Sequence, residues 1–221
     1  MRPTIVAVGG FTSNSGKTTL VCELLRALEG WEAIKVSRGH YRSCGKDPEA
    51  CCISPLLGDA PVVRTGRAET YAPGKDTGRY WDAGASNVHW AIVTNRQVEE
   101  GVRAALARVK SQGVVIEGNS FLRFVEADFS VVVARAGEPR IKPSARRALM
   151  KASGIYLSDC AVDDEACASF AELRRRAGLD ESHASLPIYT RESLPRLVAR
   201  IVSTSLNVRE VFAVNSNEFY E

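Results

Sequence analysis

The chain has 221 residues, 45% of them hydrophobic and 25% charged, with a formal net charge of +3. That length and apolar fraction suit one α/β domain with a real core, residues 1–221, and so balanced a charge gives no footing for a nucleic-acid partner. No apolar run approaches the roughly 18 residues that a membrane span requires, and the N-terminus enters a strand pattern with no leader, so the six cysteines are expected reduced, in the cytoplasm.

The first stretch, Ile5-Val6-Ala7-Val8-Gly9-Gly10, is an apolar, β-branched run that feeds Phe11-Thr12-Ser13-Asn14-Ser15-Gly16-Lys17-Thr18-Thr19. Leu20, Val21, Leu24, Leu25 and Leu28 then recur at helical spacing over Lys17 to Glu29, and Gly30 stops the helix. The order is strand, small-residue loop, helix. In such a loop successive N–H groups converge on an anion, and the helix start adds its partial positive charge. Residues Thr12 to Thr19 are therefore the candidate phosphate cradle, with Lys17 reaching phosphate oxygens and the Thr18 hydroxyl a ligand for Mg²⁺. The usual spacing places four residues between the two glycines; here Gly10 and Gly16 enclose five, so the loop is one residue longer or lacks its first glycine.

A second short strand, Trp31 to Ser37, leads to Arg38-Gly39-His40, and its far end is expected to border a ligand, as strand carboxyl ends do in doubly wound sheets. Residues 40–73 are an irregular insert rich in Gly, Pro and Cys, closed by a short strand over Pro61 to Thr65. His40, Cys44, Cys51 and Cys52 are a speculative soft-metal set in it, suited to zinc or an iron–sulfur cluster, although their spacing fits no familiar signature. Lys75, Asp76 and Arg79 open a further helix; Asp76 either caps it or, with Lys75, faces phosphates and metal. Val88 to Val93 reads as a strand in which His89 is a packing or surface residue and not a ligand, and Asn95 as the cap of a helix from Gln97 to Gln112 ended by Gly113.

Val114-Val115-Ile116-Glu117-Gly118 is a strand buried on both faces with an acid at its carboxyl end, where Mg²⁺ or its water needs a carboxylate. Lys17 and Glu117 are thus the candidate catalytic residues, and Thr18 and Glu117 the candidate Mg²⁺ residues. Phe129 to Arg135 is another buried strand, and Arg140 to Arg147 opens a basic helix with Pro143 in its first turn. Ile155 to Asp159 is a strand ending in an acid that either reads the donors of a guanine edge or forms a turn. A helix over Glu165 to Gly178, an extended Leu186 to Tyr189 and a last helix over Ser193 to Ser203 follow, and the tail beyond Asn207 shows little pattern.

Three segments resemble the MobB proteins of molybdenum cofactor maturation: Ser15-Gly16-Lys17-Thr18-Thr19-Leu20, Ile34-Lys35 running on to His40, and Pro73-Gly74-Lys75-Asp76-Thr77 with Ala83-Gly84-Ala85 five residues on. Glu117-Gly118 is similar to that family's second acidic site. The resemblance covers roughly the first 120 residues. It implies a three-layer α/β/α P-loop NTPase, a mostly parallel twisted sheet flanked by helices. It further implies a homodimer that binds GTP with Mg²⁺, hydrolyses it weakly and works beside a separate molybdopterin nucleotidyltransferase. By position, Lys17 and Thr18 then hold phosphate and Mg²⁺, Glu117 supports the metal, and Lys75 and Asp76 line the site. Departures are Val36-Ser37-Arg38-Gly39-His40 in place of a His-His-Asp cluster, the extra cysteine-bearing insert, and Asn119-Ser120 after Glu117-Gly118. The longer loop and Glu117-Gly118 are also similar to dethiobiotin synthetase and the cobyrinic acid amidating enzymes, which implies an ATP-dependent ligase or kinase. A metal-delivery chaperone built on the cysteine insert is the third alternative.

Overall fold

The computed structural model describes residues 2–39 and 56–217, with side chains through 208. His40, Cys44, Cys51 and Cys52 lie outside the described residues. Among the described residues eight strands form one sheet: β1 (Thr4–Gly10), β2 (Glu32–Arg38), β3 (Val62–Thr65), β4 (Val88–Val93), β5 (Gly113–Glu117), β6 (Phe129–Ala134), β7 (Gly154–Leu157) and β8 (Ile188–Tyr189). The spatial order is β3-β4-β2-β5-β1-β6-β7-β8. Every pairing among the described residues is parallel except that of β3, which lies antiparallel to β4 at one edge.

The α-helices among the described residues are α1 (Lys17–Ala27), α2 (Arg67–Thr70), α3 (Asp76–Asp82), α4 (Val98–Leu106), α5 (Pro143–Leu149), α6 (Asp163–Arg176) and α7 (Leu194–Asn217). Alternation along the strands sorts them into two layers. Ile5, Ala7, Ile34, Val114, Ile116 and Val132 point to one face and pack with Val98 and Val102 of α4, Ala148 of α5 and Phe170 of α6. Val6, Val8, Ala33, Val115, Val131 and Val133 point to the other and pack with Leu20 and Leu24 of α1, Tyr80 of α3 and Leu197 of α7. A sheet clothed on both faces needs the continuous apolar runs seen in β1, β5 and β6, and the architecture is the expected three-layer α/β/α.

Three expectations need correcting. The helix drawn from Gln97 to Gln112 ends at Leu106. After it, Arg108 and Val109 make i→i−3 bonds, and the Lys110 and Ser111 amides both donate to Glu32 Oε1 at 2.8 Å, so a buried carboxylate takes the N–H groups that further helix would use. Asn95 does not cap that helix: it accepts from Arg38 at 3.1 Å, and Gln97 Oε1 instead accepts the Thr94 amide at 2.9 Å. The tail that seemed patternless is helical, α7 running to Asn217; no Gly or Pro follows Pro195 to stop it.

Among the described residues no helix is long and apolar enough to cross a membrane. His89 is fully buried, its Nε2 2.6 Å from Glu32 Oε2 and its Nδ1 3.0 Å from Thr65 Oγ1, which ties the sheet's edge to its interior. Of the two roles the sequence left open, packing or surface, the buried one holds. Removing one partner of a buried pair strands the other, at a cost of about 3 kcal/mol or more. His89→Ala is expected to lose that much stability in urea unfolding; a loss below about 1 kcal/mol would show that the network contributes only packing.

Candidate functional site

The carboxyl ends of β1, β2 and β5 open on a cleft of about 470 Å³, a volume in the range of small-molecule sites. Its floor is the loop from Gly10 to Gly16. Gly16 has φ 93°, in the left-handed region, and a Cβ there would also stand 2.9 Å from Ser158 Cβ, so glycine is required on both counts. Leu20 is the first residue of α1 whose amide finds a carbonyl, Gly16 O at 3.0 Å, so the N–H groups ahead of it are the unpaired donors of a helix start. Ser158 Oγ braces the loop through Ser15 O at 2.8 Å.

The irregular spacing of the two glycines has a structural cause. Gly10 completes β1, and the Asn119 amide group pairs with it as a strand would: the Gly10 amide donates to Oδ1 and Nδ2 donates to Gly10 O, both at 2.8 Å. A Cβ on Gly10 would collide with Ser15 Oγ and the Lys17 stem. Gly10 is therefore a space-giving residue under the lysine. The Lys17 ammonium arches over the loop, donating to Thr12 O at 2.6 Å and Ser13 O at 3.2 Å. Burial lowers its pKa to about 8, with the Glu117 charge opposing that shift.

Glu117 is the hub of the cleft wall. It faces α1 and α3 because it lies two residues beyond Val115. Lys35 is its register neighbour on β2 and donates to Oε1 at 2.5 Å, while the Thr18 hydroxyl donates to Oε2 at 2.9 Å. The Tyr80 hydroxyl, fully buried, donates to the same Oε2. Lys35 also pairs with Asp76 at 2.6 Å. Burial opposes the charge on Lys35, but Glu117 and Asp76 outweigh it and hold the ammonium above the ordinary lysine value. Burial likewise works against the Asp76 carboxylate, and Lys35, with Thr18 and Arg79, outweighs it and leaves its pKa lowered. Tyr80 is raised well above the ordinary phenol value by burial and then by Glu117, so it remains a donor. Asp76 is thus an ion-pair partner and not the helix cap, a position Lys75 occupies without a side-chain bond.

Among the described residues five cations border the cleft, Lys17, Lys35, Arg38, Arg79 and Lys142, against two carboxylates, Asp76 and Glu117. Lys142 spans to the loop, its ammonium 2.5 Å from Ser13 Oγ, and Arg79 donates to Thr19 Oγ1 at 3.3 Å. Of the residues singled out from sequence, Thr12, Ser13, Asn14, Gly16, Lys17, Thr18, Thr19, Asp76 and Glu117 line the cleft, and Ser15 is buried beneath it. Lys75 is exposed and off its lining. Asp159 faces away, accepting the Ala136 amide at 2.8 Å, in a separate hollow on the far side of the loop. Tyr80, Lys142 and Asn119 are the residues sequence reasoning missed. Tyr80 carried a usable signal, standing four positions after Asp76 and hence on the same helix face; the other two carried none.

No family model matches the chain, and no curated protein matches it at a significant level. Solved structures to which the chain is similar include the following two. LpxK from Aquifex aeolicus, in complex with ATP, is 17% identical with a TM-score of 0.45 over 71% of this chain and 48% of its own. A Zn(II)-bound triple mutant of the YjiA GTPase is 17% identical with a TM-score of 0.43 over 86% of this chain and 58% of its own. The chain thus spans about half the length of these structures, and the chemistry below rests on its own residues.

The buried ammonium gives a direct observable. In ¹³C-dimethyl-lysine NMR, one resonance is expected to titrate near pH 8 and to vanish in Lys17→Arg. If all lysine resonances instead titrate near the usual value of about 10.4, the burial argument for Lys17 is wrong.

Proposed function

We propose that the cleft binds a nucleoside triphosphate with Mg²⁺ and that the chain is a P-loop NTPase. The observation that carries this reading is the left-handed Gly16 followed by Lys17 and by Thr18, whose hydroxyl lies 2.9 Å from a buried carboxylate at the end of the neighbouring strand. The donor set fits the ion. Thr18 Oγ1 and the Asp76 and Glu117 carboxylates are hard oxygens, and Mg²⁺ is usually held by one or two carboxylates, with waters and phosphate oxygens completing its shell. Bound there, Mg²⁺ neutralises charge on the phosphates. Lys17 supplies a cation against the outer phosphates, and the amides of the helix start hold the rest.

Within that class, a GTP-binding, MobB-like accessory role in molybdenum cofactor biosynthesis is the finer proposal. It carries with it a homodimer and a molybdopterin nucleotidyltransferase partner. Its support is spatial: Thr18, Lys35 and Asp76, one from each resembling segment, meet around Glu117. Hydrolysis would be slow, because both Glu117 oxygens already accept hydrogen bonds and the carboxylate is a poor base for water. An ATP-dependent ligase or kinase is the second reading, favoured by a further cavity that adjoins the cleft. The metal-chaperone alternative rests on residues outside the described ones.

Calorimetry with Mg–GTP, Mg–ATP and slowly hydrolysed analogues tests these readings. Tight GTP with indifferent ATP supports the MobB-like reading, the reverse supports the ligase or kinase, and absence of both overturns the proposal. Lys17→Ala is expected to weaken the preferred nucleotide about 100-fold, as loss of charge-assisted bonds to phosphate does, and Cys44→Ser to leave it unchanged. Because nucleotide needs a protonated Lys17 and burial lowers that pKa to about 8, affinity should fall as pH rises, by about tenfold between pH 7 and 9. A flat pH profile would contradict that linkage.

A further inference from the structure

Beside the cleft, sharing Arg38, Asn119, Ser120 and Ser144 with its wall, lies a second cavity of about 630 Å³. Its composition differs from that of the cleft. Val98, Leu122, Phe124 and Ala148 give it apolar walls, and Arg38, Arg123, Arg147 and Lys151 give it a cationic rim; among the described residues no carboxylate lines it. Among the described residues none of these four cations forms a salt bridge. The hydrogen bonds they make go to neutral acceptors, Arg38 to Asn95 Oδ1 at 3.1 Å and Lys151 to Leu122 O at 2.9 Å. The Arg123 guanidinium lies 5.5 Å from the Phe124 ring centre. Burial, and then the Arg147 guanidinium, push Arg38 below its ordinary pKa, the direction expected when like charges share a space.

We propose that this cavity binds a second ligand, a small molecule with a phosphate group on an aromatic or apolar body. The phosphate would sit among Arg38, Arg123 and Arg147, and the body against Phe124 and Leu122. Guanidinium groups suit the purpose because their forked donors match phosphate oxygens in pairs. Arg38 and Asn119 belong to both cavities, so a ligand here stands next to the contents of the cleft. The inference goes beyond the nucleotide reading and does not depend on it.

Phenyl phosphate is the probe, with inorganic phosphate and benzoate as comparisons. Each is titrated calorimetrically into protein saturated with Mg²⁺ and a slowly hydrolysed GTP analogue, and again into nucleotide-free Lys17→Ala. Phenyl phosphate is expected to bind saturably in both. It should bind about tenfold more tightly than inorganic phosphate, and about tenfold more weakly to Arg123→Gln/Arg147→Gln, two exposed positions whose loss should leave nucleotide affinity unchanged. Tighter benzoate than phenyl phosphate would replace phosphate by carboxylate and overturn the assignment. Absence of saturable binding, indifference to the double substitution, or loss of binding in Lys17→Ala would each overturn it as well, the last by placing the probe in the loop. Failure of wild-type protein to bind nucleotide would count only against the nucleotide reading, since the Lys17→Ala titration does not need it.

Discussion

A carboxylate buried to 3% exposure must be matched by donors, and Glu117 finds them in three separate parts of the chain. Lys35 comes from the neighbouring strand, Thr18 from the first turn of α1 and Tyr80 from the interior of α3. Desolvating a carboxylate is costly, so none of these groups can move away without leaving it uncompensated. Asp76 then adds a second acceptor to Lys35 and fixes α3 against the sheet. The cleft has its shape because this charge cluster has its partners.

The loop follows from the same geometry. β1 lies between β5 and β6 at the centre of the sheet, so the loop leaving its carboxyl end is flanked by the ends of both neighbours. Asn119, two residues past Glu117, closes the ladder on Gly10 from one side, and Ser158 braces Ser15 O from the other. Neighbours bonded on both sides allow the left-handed Gly16 and a partly desolvated Lys17 to be held at the start of α1. The result is a basic cleft whose two carboxylates share Lys35, while Lys17, Arg38, Arg79 and Lys142 form no salt bridge among the described residues.

Much of this was legible in the sequence, and the reasons are physical. Continuous β-branched runs announced β1, β5 and β6 because a strand covered on both faces has no polar side to reveal. Gly-Lys-Thr between strand and helix announced the loop, and Glu117 was visible as an acid at the end of an apolar run. The longer spacing from Gly10 was visible as an anomaly, but its cause, an asparagine 109 positions away, was not. Lys142 reaches Ser13 across 129 positions, and nothing local distinguishes it from the other basic residues of its segment. The early end of α4 depends on Glu32, far off in sequence, capturing two amides. Local pattern fixes elements; long-range polar partners fix where they stop and what they face.

The account stands on the claim that Thr18 and the Glu117 wall form the place of a divalent ion beside bound phosphates. Electron paramagnetic resonance of Mn²⁺ in place of Mg²⁺ tests it most directly. The account predicts that Mn²⁺ binds tightly with a slowly hydrolysed GTP or ATP analogue present, weakly without it, and weakly in Thr18→Val under either condition. Mn²⁺ bound equally well without nucleotide, or bound with nucleotide regardless of Thr18, would contradict it.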